Sequence, residues 1–269
     1  MNIAVIGAGA WGTAFSIHLA RIGKRVLLWV YEKDLLGILQ LSRENTRYLP
    51  SFKLHENIQF TDQLDGITSY AEDIVVATPS FALRQTLKDI SSSLTNKNIL
   101  ILTKGLETET LMRMSEVAGE ILGNHVHVAV LSGPSFAKEV AGSAFTSVVI
   151  ASKDKQLASY FQNITHNELF RVYTTDDVTG VELGAAMKNV MAIGAGIIEG
   201  LALGANTQAA FITRALAEIK RLGRISGAKE ITFMGLSGIG DLILTSYGQL
   251  SRNRWFGIEL SKGKKPDQI

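Results

Sequence analysis

Lys188 is the residue most out of keeping with its surroundings in this 269-residue sequence. It interrupts Leu183-Gly184-Ala185-Ala186-Met187-Lys188-Asn189-Val190-Met191-Ala192-Ile193, which reads as a helix apolar all round. Such a helix is buried, and an ammonium inside it is costly unless paired or used. Burial favours the neutral amine of a lysine, which suits proton transfer near neutral pH. Asp241 repeats the pattern with opposite sign in Gly238-Ile239-Gly240-Asp241-Leu242-Ile243-Leu244. Such an acid wants a cationic partner, and Lys188 is the natural one. Ser251-Arg252-Asn253 follows, and a planar guanidinium suits a phosphate. Lys104 stands directly after the apolar run Asn98–Thr103, and Ser132-Gly133-Pro134-Ser135 follows Val128–Leu131. Lys104, Lys188, Asp241 and Arg252 are thus candidates for one cleft that takes an anionic substrate. The plainer alternatives are a surface lysine, a helix-capping aspartate and a solvated arginine.

A second pattern lies at the N-terminus. Asn2-Ile3-Ala4-Val5-Ile6 runs into Gly7-Ala8-Gly9-Ala10-Trp11-Gly12 and then into a helical stretch. Gly7 permits a tight turn, Gly9 lets backbone amides approach a ligand, and Gly12 lets helix and strand pack closely. The helix start then offers free amides and a dipole to an anion. The spacing, placed between strand and helix, points to a dinucleotide pyrophosphate site, with a purely structural strand-turn-helix as the plainer alternative. Glu32, 20 residues beyond Gly12, falls where an acid accepts from the ribose 2′-hydroxyl. A carboxylate there repels a 2′-phosphate, so the cofactor is NAD or NADP with NAD favoured. Lys33 and Arg43 are cations that could serve a 2′-phosphate in NADP instead.

Placing these residues requires a sheet. Ile3–Ile6, Val26–Val30, Ile74–Ala77, Ile99–Leu102, Val126–Leu131, Val148–Ala151 and Phe170–Tyr173 are short, near-continuous apolar runs. That is the pattern of strands covered on both faces. Helical segments Trp11–Ile22, Leu83–Ser91 and Met112–Leu122 lie between them, giving βαβ units and a doubly wound α/β sheet. After about Thr175 only helical segments are read: Glu182–Ile198, Thr207–Ile225 and Arg252–Lys262. The expected organisation is a Rossmann-like domain over 1–176 and an all-helical domain over 177–269.

Composition narrows the class. The chain is 46% hydrophobic and 19% charged, which marks it as globular. A net charge of +2 without a long basic run argues against nucleic acid, and Lys262–Lys265 reads as a solvated end. With no cysteine, disulfides, thiolate metal ligands and a Cys nucleophile are excluded. His125 and His127 sit in or beside a strand and suggest no metal site. Ile3–Ala20 is apolar like a signal peptide but lacks a basic start and is broken by glycines. Asn189–Ala205 is too short and too interrupted to span a bilayer. A cytoplasmic chain fits these features.

Taken in order, Gly-Ala-Gly-Ala-Trp-Gly-Thr-Ala (7–14), Leu-Thr-Lys-Gly-Leu-Glu (102–107), Ser-Gly-Pro-Ser-Phe-Ala-Lys-Glu (132–139), Lys-Asn-Val-Met-Ala-Ile (188–193), Gly-Ile-Gly-Asp-Leu (238–242) and Ser-Arg-Asn (251–253) resemble the NAD(P)-dependent glycerol-3-phosphate dehydrogenases. The resemblance covers essentially the whole chain. It implies interconversion of dihydroxyacetone phosphate and sn-glycerol 3-phosphate, feeding glycerophospholipid synthesis, with no metal. It implies that Lys188 exchanges the proton, Lys104 holds and polarises the substrate, and Asp241 orients Lys188 and the substrate hydroxyls. Gly133, Ser135, Ser251, Arg252 and Asn253 would bind substrate. Gly7, Gly9, Ala10, Trp11, Gly12, Tyr31, Glu32, Lys104, Ala137 and Arg252 would meet the cofactor. Where bacterial members often carry arginine or histidine this chain has Tyr31, and Trp29-Val30-Tyr31-Glu32 looks more like the NAD-using eukaryotic form. Family members usually continue for a further stretch of helix beyond the position of Ile269, so a curtailed helical domain is expected. The resemblance leaves a homodimer open. Two rivals stand beside it: a 3-hydroxyacid or 6-phosphogluconate type of dehydrogenase, and a non-catalytic NAD-binding protein.

Overall fold

A computed structural model describes residues 1–94, 96–123 and 126–269, so His125 lies outside the described residues. The chain divides into two compact units: Met1–Leu131 with Ser135–Asp176, and Ser132–Pro134 with Asp177–Ile269.

The first unit is built on one eight-stranded sheet of order β3-β2-β1-β4-β5-β6-β7-β8. Its strands are β1 (Asn2–Ile6), β2 (Arg25–Trp29), β3 (Ile58–Thr61), β4 (Asp73–Val76), β5 (Asn98–Ile101), β6 (His127–Ser132), β7 (Thr146–Ala151) and β8 (Phe170–Thr175). Ile3, Ala4, Val5 and Ile6 are all buried, as expected of a strand covered on both faces. From β3 through β6 every neighbouring pair is parallel, and so are β7 and β8. The Ser152 hydroxyl, just past β7, donates to Val128 O at the start of β6 (2.9 Å). The end of β7 therefore lies beside the start of β6, the two run in opposite directions, and the sheet is mixed. All seven expected strands are present. β3 was not expected: Ile-Gln-Phe-Thr alternates, and it sits at the sheet edge.

Helices α1 (Ala10–Arg21), α2 (Lys33–Ser42), α3 (Asp65–Tyr70), α4 (Ser80–Ile90), α5 (Met114–Leu122), α6 (Ala137–Ala141) and α7 (Lys155–Thr165) connect the strands. Nine of the twelve residues of α1 are buried, with Phe15 and Leu19 fully so. α7 starts where Asp154 Oδ1 accepts from Gln156 N (2.8 Å), an N-cap legible only as one aspartate among several polar residues. The sheet order reverses between β1 and β4, and ligands of such sheets bind beyond the carboxyl ends at that point.

The second unit is helical: α8 (Val178–Gly200), α9 (Ala205–Ile225), α10 (Asp241–Tyr247) and α11 (Arg252–Ser261). α8 begins four residues before the expected Glu182 because Asp177 Oδ1 accepts from Gly180 N (3.0 Å). The other Asp177 oxygen accepts from Lys229 N (2.9 Å), tying the helix start to the 229–232 turn. Glycines inside α8 mark backbone-to-backbone approach. A Cβ on Gly184 would stand 2.4 Å from Ser237 O, and one on Gly196 2.0 Å from Arg254 O. Gly257 of α11 answers from the other side, 2.1 Å from Ile193 O. Residues 189–200 of the apolar stretch expected to be too short for a span lie on this longer helix of 23 residues, which by length and composition alone is long enough to cross a membrane. Half of its most apolar window is buried, and it carries Glu182 and Lys188 inside the unit.

Candidate active site

The glycine loop follows β1 and opens α1. Gly7 has φ +114°, and a Cβ there would lie 2.9 Å from Ala77 O. A Cβ on Gly12 would lie 2.0 Å from Gly7 O. Both glycines are therefore demanded by the fold itself. Gly9 is different: a Cβ there meets nothing within 4 Å. The empty side of Gly9 is a cradle that suits a ligand, since the protein's own packing does not require a glycine. Ala10 and Trp11 begin α1, whose N-cap Gly9 has no side chain to satisfy the first-turn amides. Trp11 Nε1 and Thr78 Oγ1 are buried without a hydrogen-bond partner among the described residues. These donors and the open cradle fit a dinucleotide with its pyrophosphate on the helix start.

The flanking positions follow the same edge. β2 stops at Trp29, one residue earlier than the expected Val30, and Tyr31 beyond it is 76% exposed. Glu32 is the N-cap residue of α2, and its Oε1 accepts from the Tyr48 hydroxyl at 2.6 Å. Arg43 is not available to a phosphate as expected: it donates to Leu54 O (3.2 Å), His55 O and Ile58 O (2.8 Å), and lies over Phe60. Lys104 lies half-buried after β5, on a loop held by Thr103 Oγ1 donating to Thr78 O (2.7 Å). Glu107 on the same loop takes Arg84 Nε (2.7 Å) and Nη2 (2.9 Å), which holds its carboxyl well down, at about 2. Ser135 and Ala137, the latter opening α6, are half-buried.

The helical unit joins Lys188 and Asp241. Lys188 is 7% exposed and Asp241 0%. Lys188 Nζ donates to Asp241 Oδ1 at 2.5 Å and to Thr245 Oγ1 at 3.0 Å, and Thr245 Oγ1 donates to Asp241 O at 2.7 Å. Two charges this deep are tolerated because each has a charged, hydrogen-bonded partner. α8 supplies the lysine and α10 the other two groups. Asp241 lies within the first turn of α10, after Gly240, so capping does not explain it. The sequence reading did not single out Thr245, although its spacing of four from Asp241 puts both on one helix face.

α11 presents the Ser251-Arg252-Asn253 motif. Ser251 is its N-cap, accepting from Arg254 N (3.2 Å), and Arg252 is exposed at its first position. Asn253 Nδ2 donates to Asn189 Oδ1 (2.9 Å), so Asn189, beside Lys188, enters the same neighbourhood. Arg254 Nε donates to Glu199 Oε2 at 2.6 Å, clamping α11 onto α8. Buried Gly133 belongs to this unit. Ser132 Oγ and Ser246 Oγ are buried and unpartnered among the described residues. Lys104 lies in the other unit, as do Ser135 and Ala137. Among the described residues no three His, Cys, Asp or Glu side chains gather to hold a metal.

A Rossmann sheet with an uncovered glycine cradle, joined to a helical unit with a buried lysine–carboxylate pair, defines a dinucleotide-dependent dehydrogenase. Residues 2–158 match the N-terminal, and residues 177–269 the C-terminal, domain profile of NAD-dependent glycerol-3-phosphate dehydrogenase. The chain belongs to that family. It is 46% identical to glycerol-3-phosphate dehydrogenase, NAD(P)+, of Syntrophotalea carbinolica, covering 100% of this chain and 82% of that protein. Identity to the enzyme of the same name from Geobacter metallireducens is also 46%, covering 100% of this chain and 81% of that protein. The crystal structure of glycerol-3-phosphate dehydrogenase from Coxiella burnetii superposes with a TM-score of 0.95 at 40% identity, over 99% of this chain and 82% of that one.

Proposed function

We propose that this protein is an NAD(P)-dependent glycerol-3-phosphate dehydrogenase, with the buried Lys188–Asp241 pair as the observation that carries the chemistry. It interconverts dihydroxyacetone phosphate and sn-glycerol 3-phosphate, the latter supplying glycerophospholipid synthesis. The nicotinamide, when bound, supplies a hydride to the ketone carbon. Lys188 donates a proton to the oxygen on that carbon in reduction and takes it back in oxidation. Its 2.5 Å bond to Asp241 and 3.0 Å bond to Thr245 support this role, because they fix the ammonium in one orientation. A fixed ammonium stabilises the alkoxide as charge develops, without a solvent cage to rearrange. Asp241 offsets the lysine charge in a buried setting. Asn189, held by Asn253, offers an amide to the substrate, and exposed Arg252 takes the phosphate. Lys104 holds and polarises the substrate, Gly133, Ser135 and Ser251 contact it, and Ala137 lies against the cofactor. Gly7, Gly9, Ala10, Trp11 and Gly12 form the pyrophosphate site. We extend the reading to a cytoplasmic enzyme able to pair as a homodimer, which light scattering on the purified protein tests. Turnover is tested by dihydroxyacetone phosphate-dependent oxidation of NADH or NADPH. Activity well above a Lys188→Ala control is expected, and a rate no higher than the control refutes the reading.

A further inference from the structure

Glu32 does not reach its position unaided. The segment that follows α2 carries two side chains aimed back at the glycine loop and at Glu32. Asn45 is fully buried and uses both ends of its amide. Its Nδ2 donates to Ala8 O and to Thr13 Oγ1, each at 2.8 Å, so it grips the loop between Gly7 and Gly9 and the first turns of α1. Its Oδ1 accepts from Tyr48 N at 3.0 Å, and its carbonyl accepts from the amide of fully buried Leu49 at 2.9 Å. These bonds fix a turn from which the Tyr48 side chain extends to Glu32, donating to Oε1 at 2.6 Å. A single short segment thus ties the anion-binding loop to the carboxylate beside it.

The surrounding charges bear on what that carboxylate selects. Arg43, nearby in sequence, spends its guanidinium on three backbone carbonyls and the Phe60 ring. Arg47, beside Tyr48, is held in an ion pair with Asp34. Lys33, next to Glu32, is exposed on the first turn of α2. Glu32 accepts the tyrosine hydroxyl and raises the phenol's pKa, as a carboxylate neighbour does. One carboxylate oxygen is occupied by Tyr48, which orients the group for acceptance from a sugar hydroxyl and against a phosphate dianion.

We propose that Tyr48, fixed by Asn45, is a positioning residue that sets Glu32 to select a dinucleotide with a free ribose 2′-hydroxyl over one with a 2′-phosphate. This rests on the dinucleotide reading of the glycine loop and deepens it from NAD(P) to NAD. The bond acts through Glu32 and not on the reacting atoms, so its signature is discrimination between cofactors.

The test is fluorescence titration of the full chain with NADH and with NADPH, for wild type, Tyr48→Phe and Glu32→Gln, alongside thermal denaturation. Wild type is expected to bind NADH at least about tenfold more tightly than NADPH. Tyr48→Phe narrows that ratio roughly three- to tenfold, mainly by weakening NADH, as expected for loss of a hydrogen bond to a charged acceptor. Glu32→Gln narrows it further. Equal weakening of both cofactors in Tyr48→Phe assigns the tyrosine to folding alone and overturns the proposal, as does tighter binding of NADPH by wild type. Turnover is read separately: tight, selective NADH binding without dihydroxyacetone phosphate reduction strikes the proposed reaction and leaves the selection intact.

Discussion

The glycine loop and the lysine cluster, the two proposed sites, are built by opposite means. In the loop, recognition is left to backbone: side chains are removed at Gly7, Gly9 and Gly12, and α1 begins without a side-chain cap. In the helical unit it is side chains that act, with a lysine and an aspartate carried at 7% and 0% exposure inside packed helices. The first arrangement is economical in stability, because a peptide amide at a helix end must meet water or a ligand in any case. The second is costly, because two charges are taken out of water and must be compensated by each other and by neighbouring polar groups such as Thr245. A site made by leaving atoms out should be damaged by adding one. A site made of paired charges should be damaged by taking one away, with losses in both activity and stability.

The largest effect is expected at Lys188. Lys188→Met should lower kcat for dihydroxyacetone phosphate reduction by about 10³-fold, from loss of the proton donor and the fixed cation. It also strands Asp241, which should cost about 3–5 kcal/mol of unfolding free energy. The double variant Lys188→Met, Asp241→Asn should unfold less readily than the sum of the singles requires, because the two share one interaction. Urea titration and steady-state kinetics check both. A single variant that keeps a tenth of the wild-type kcat breaks the contrast.

His18 sharpens the comparison, as a buried titratable group in the sheet unit with no ion-pair partner among the described residues. Its Nε2 donates to Thr165 O at 2.6 Å, and burial pushes its pKa down to about 4 from 6.5. The unfolded chain takes up the proton first as pH falls. Stability is therefore complete above about pH 6.5 and is lost progressively towards pH 4, by about 3 kcal/mol from this group. The difference between wild type and His18→Gln in unfolding free energy against pH isolates the imidazole. A difference that is flat between pH 7 and 4 contradicts the burial argument. Lys188 differs in kind: it is held by Asp241, whereas His18 is simply kept neutral.

How much of this was legible in sequence follows the same divide. The loop could be read residue by residue, since Gly7-x-Gly9-x-x-Gly12 between an apolar strand and a helix is a local pattern. The lysine and aspartate were legible as charges in apolar runs, but only tertiary packing brings residues 188 and 241 to 2.5 Å. Thr245 and Asn189 were passed over because a threonine or asparagine on a helix carries no signal until its partner is known. Asn45 and Tyr48 were missed for the same reason, their partners being 37 and 16 residues away. Helices α2, α7 and α10 were missed where polar residues or nearby glycines masked the period. α2 begins after Glu32, whose side chain makes no cap hydrogen bond, so the helix start carries no local capping signal.

Gly9 tests the loop's side of the comparison directly. Its φ of −67° suits any L-residue, and an added methyl meets no protein atom within 4 Å. Gly9→Ala should therefore leave the melting temperature within about a degree or two of wild type, since surface-like substitutions usually fall within ±0.5 kcal/mol. Its NADH dissociation constant should rise roughly 10- to 30-fold, because the methyl stands where backbone must approach the pyrophosphate. Gly12→Ala serves as the contrast, its Cβ 2.0 Å from Gly7 O, so stability should fall along with binding. Unchanged NADH affinity in Gly9→Ala would falsify the reading of that open side as the ligand's space.

The smallest effect is expected at Arg84, which touches neither site. It binds Glu107 through two nitrogens at 2.7 and 2.9 Å and reaches Glu120 of α5 at 2.8 Å, fastening the loop that begins at Lys104. Gly105, at φ +127°, sets the sharp turn between the lysine and this anchor. Releasing the anchor leaves Lys104 in place chemically but lets its backbone sample more positions, an entropic cost that falls on substrate binding. Arg84→Met should raise KM for dihydroxyacetone phosphate about three- to fivefold with a smaller change in kcat, the pattern of lost uniform binding. Arg84→Lys, which keeps the charge but loses the two-pronged contact, should fall between. If kcat drops while KM stays put, the Lys104 loop acts in the chemical step itself, and the division between a backbone-built cofactor site and a charge-built catalytic one is less clean than the two units suggest.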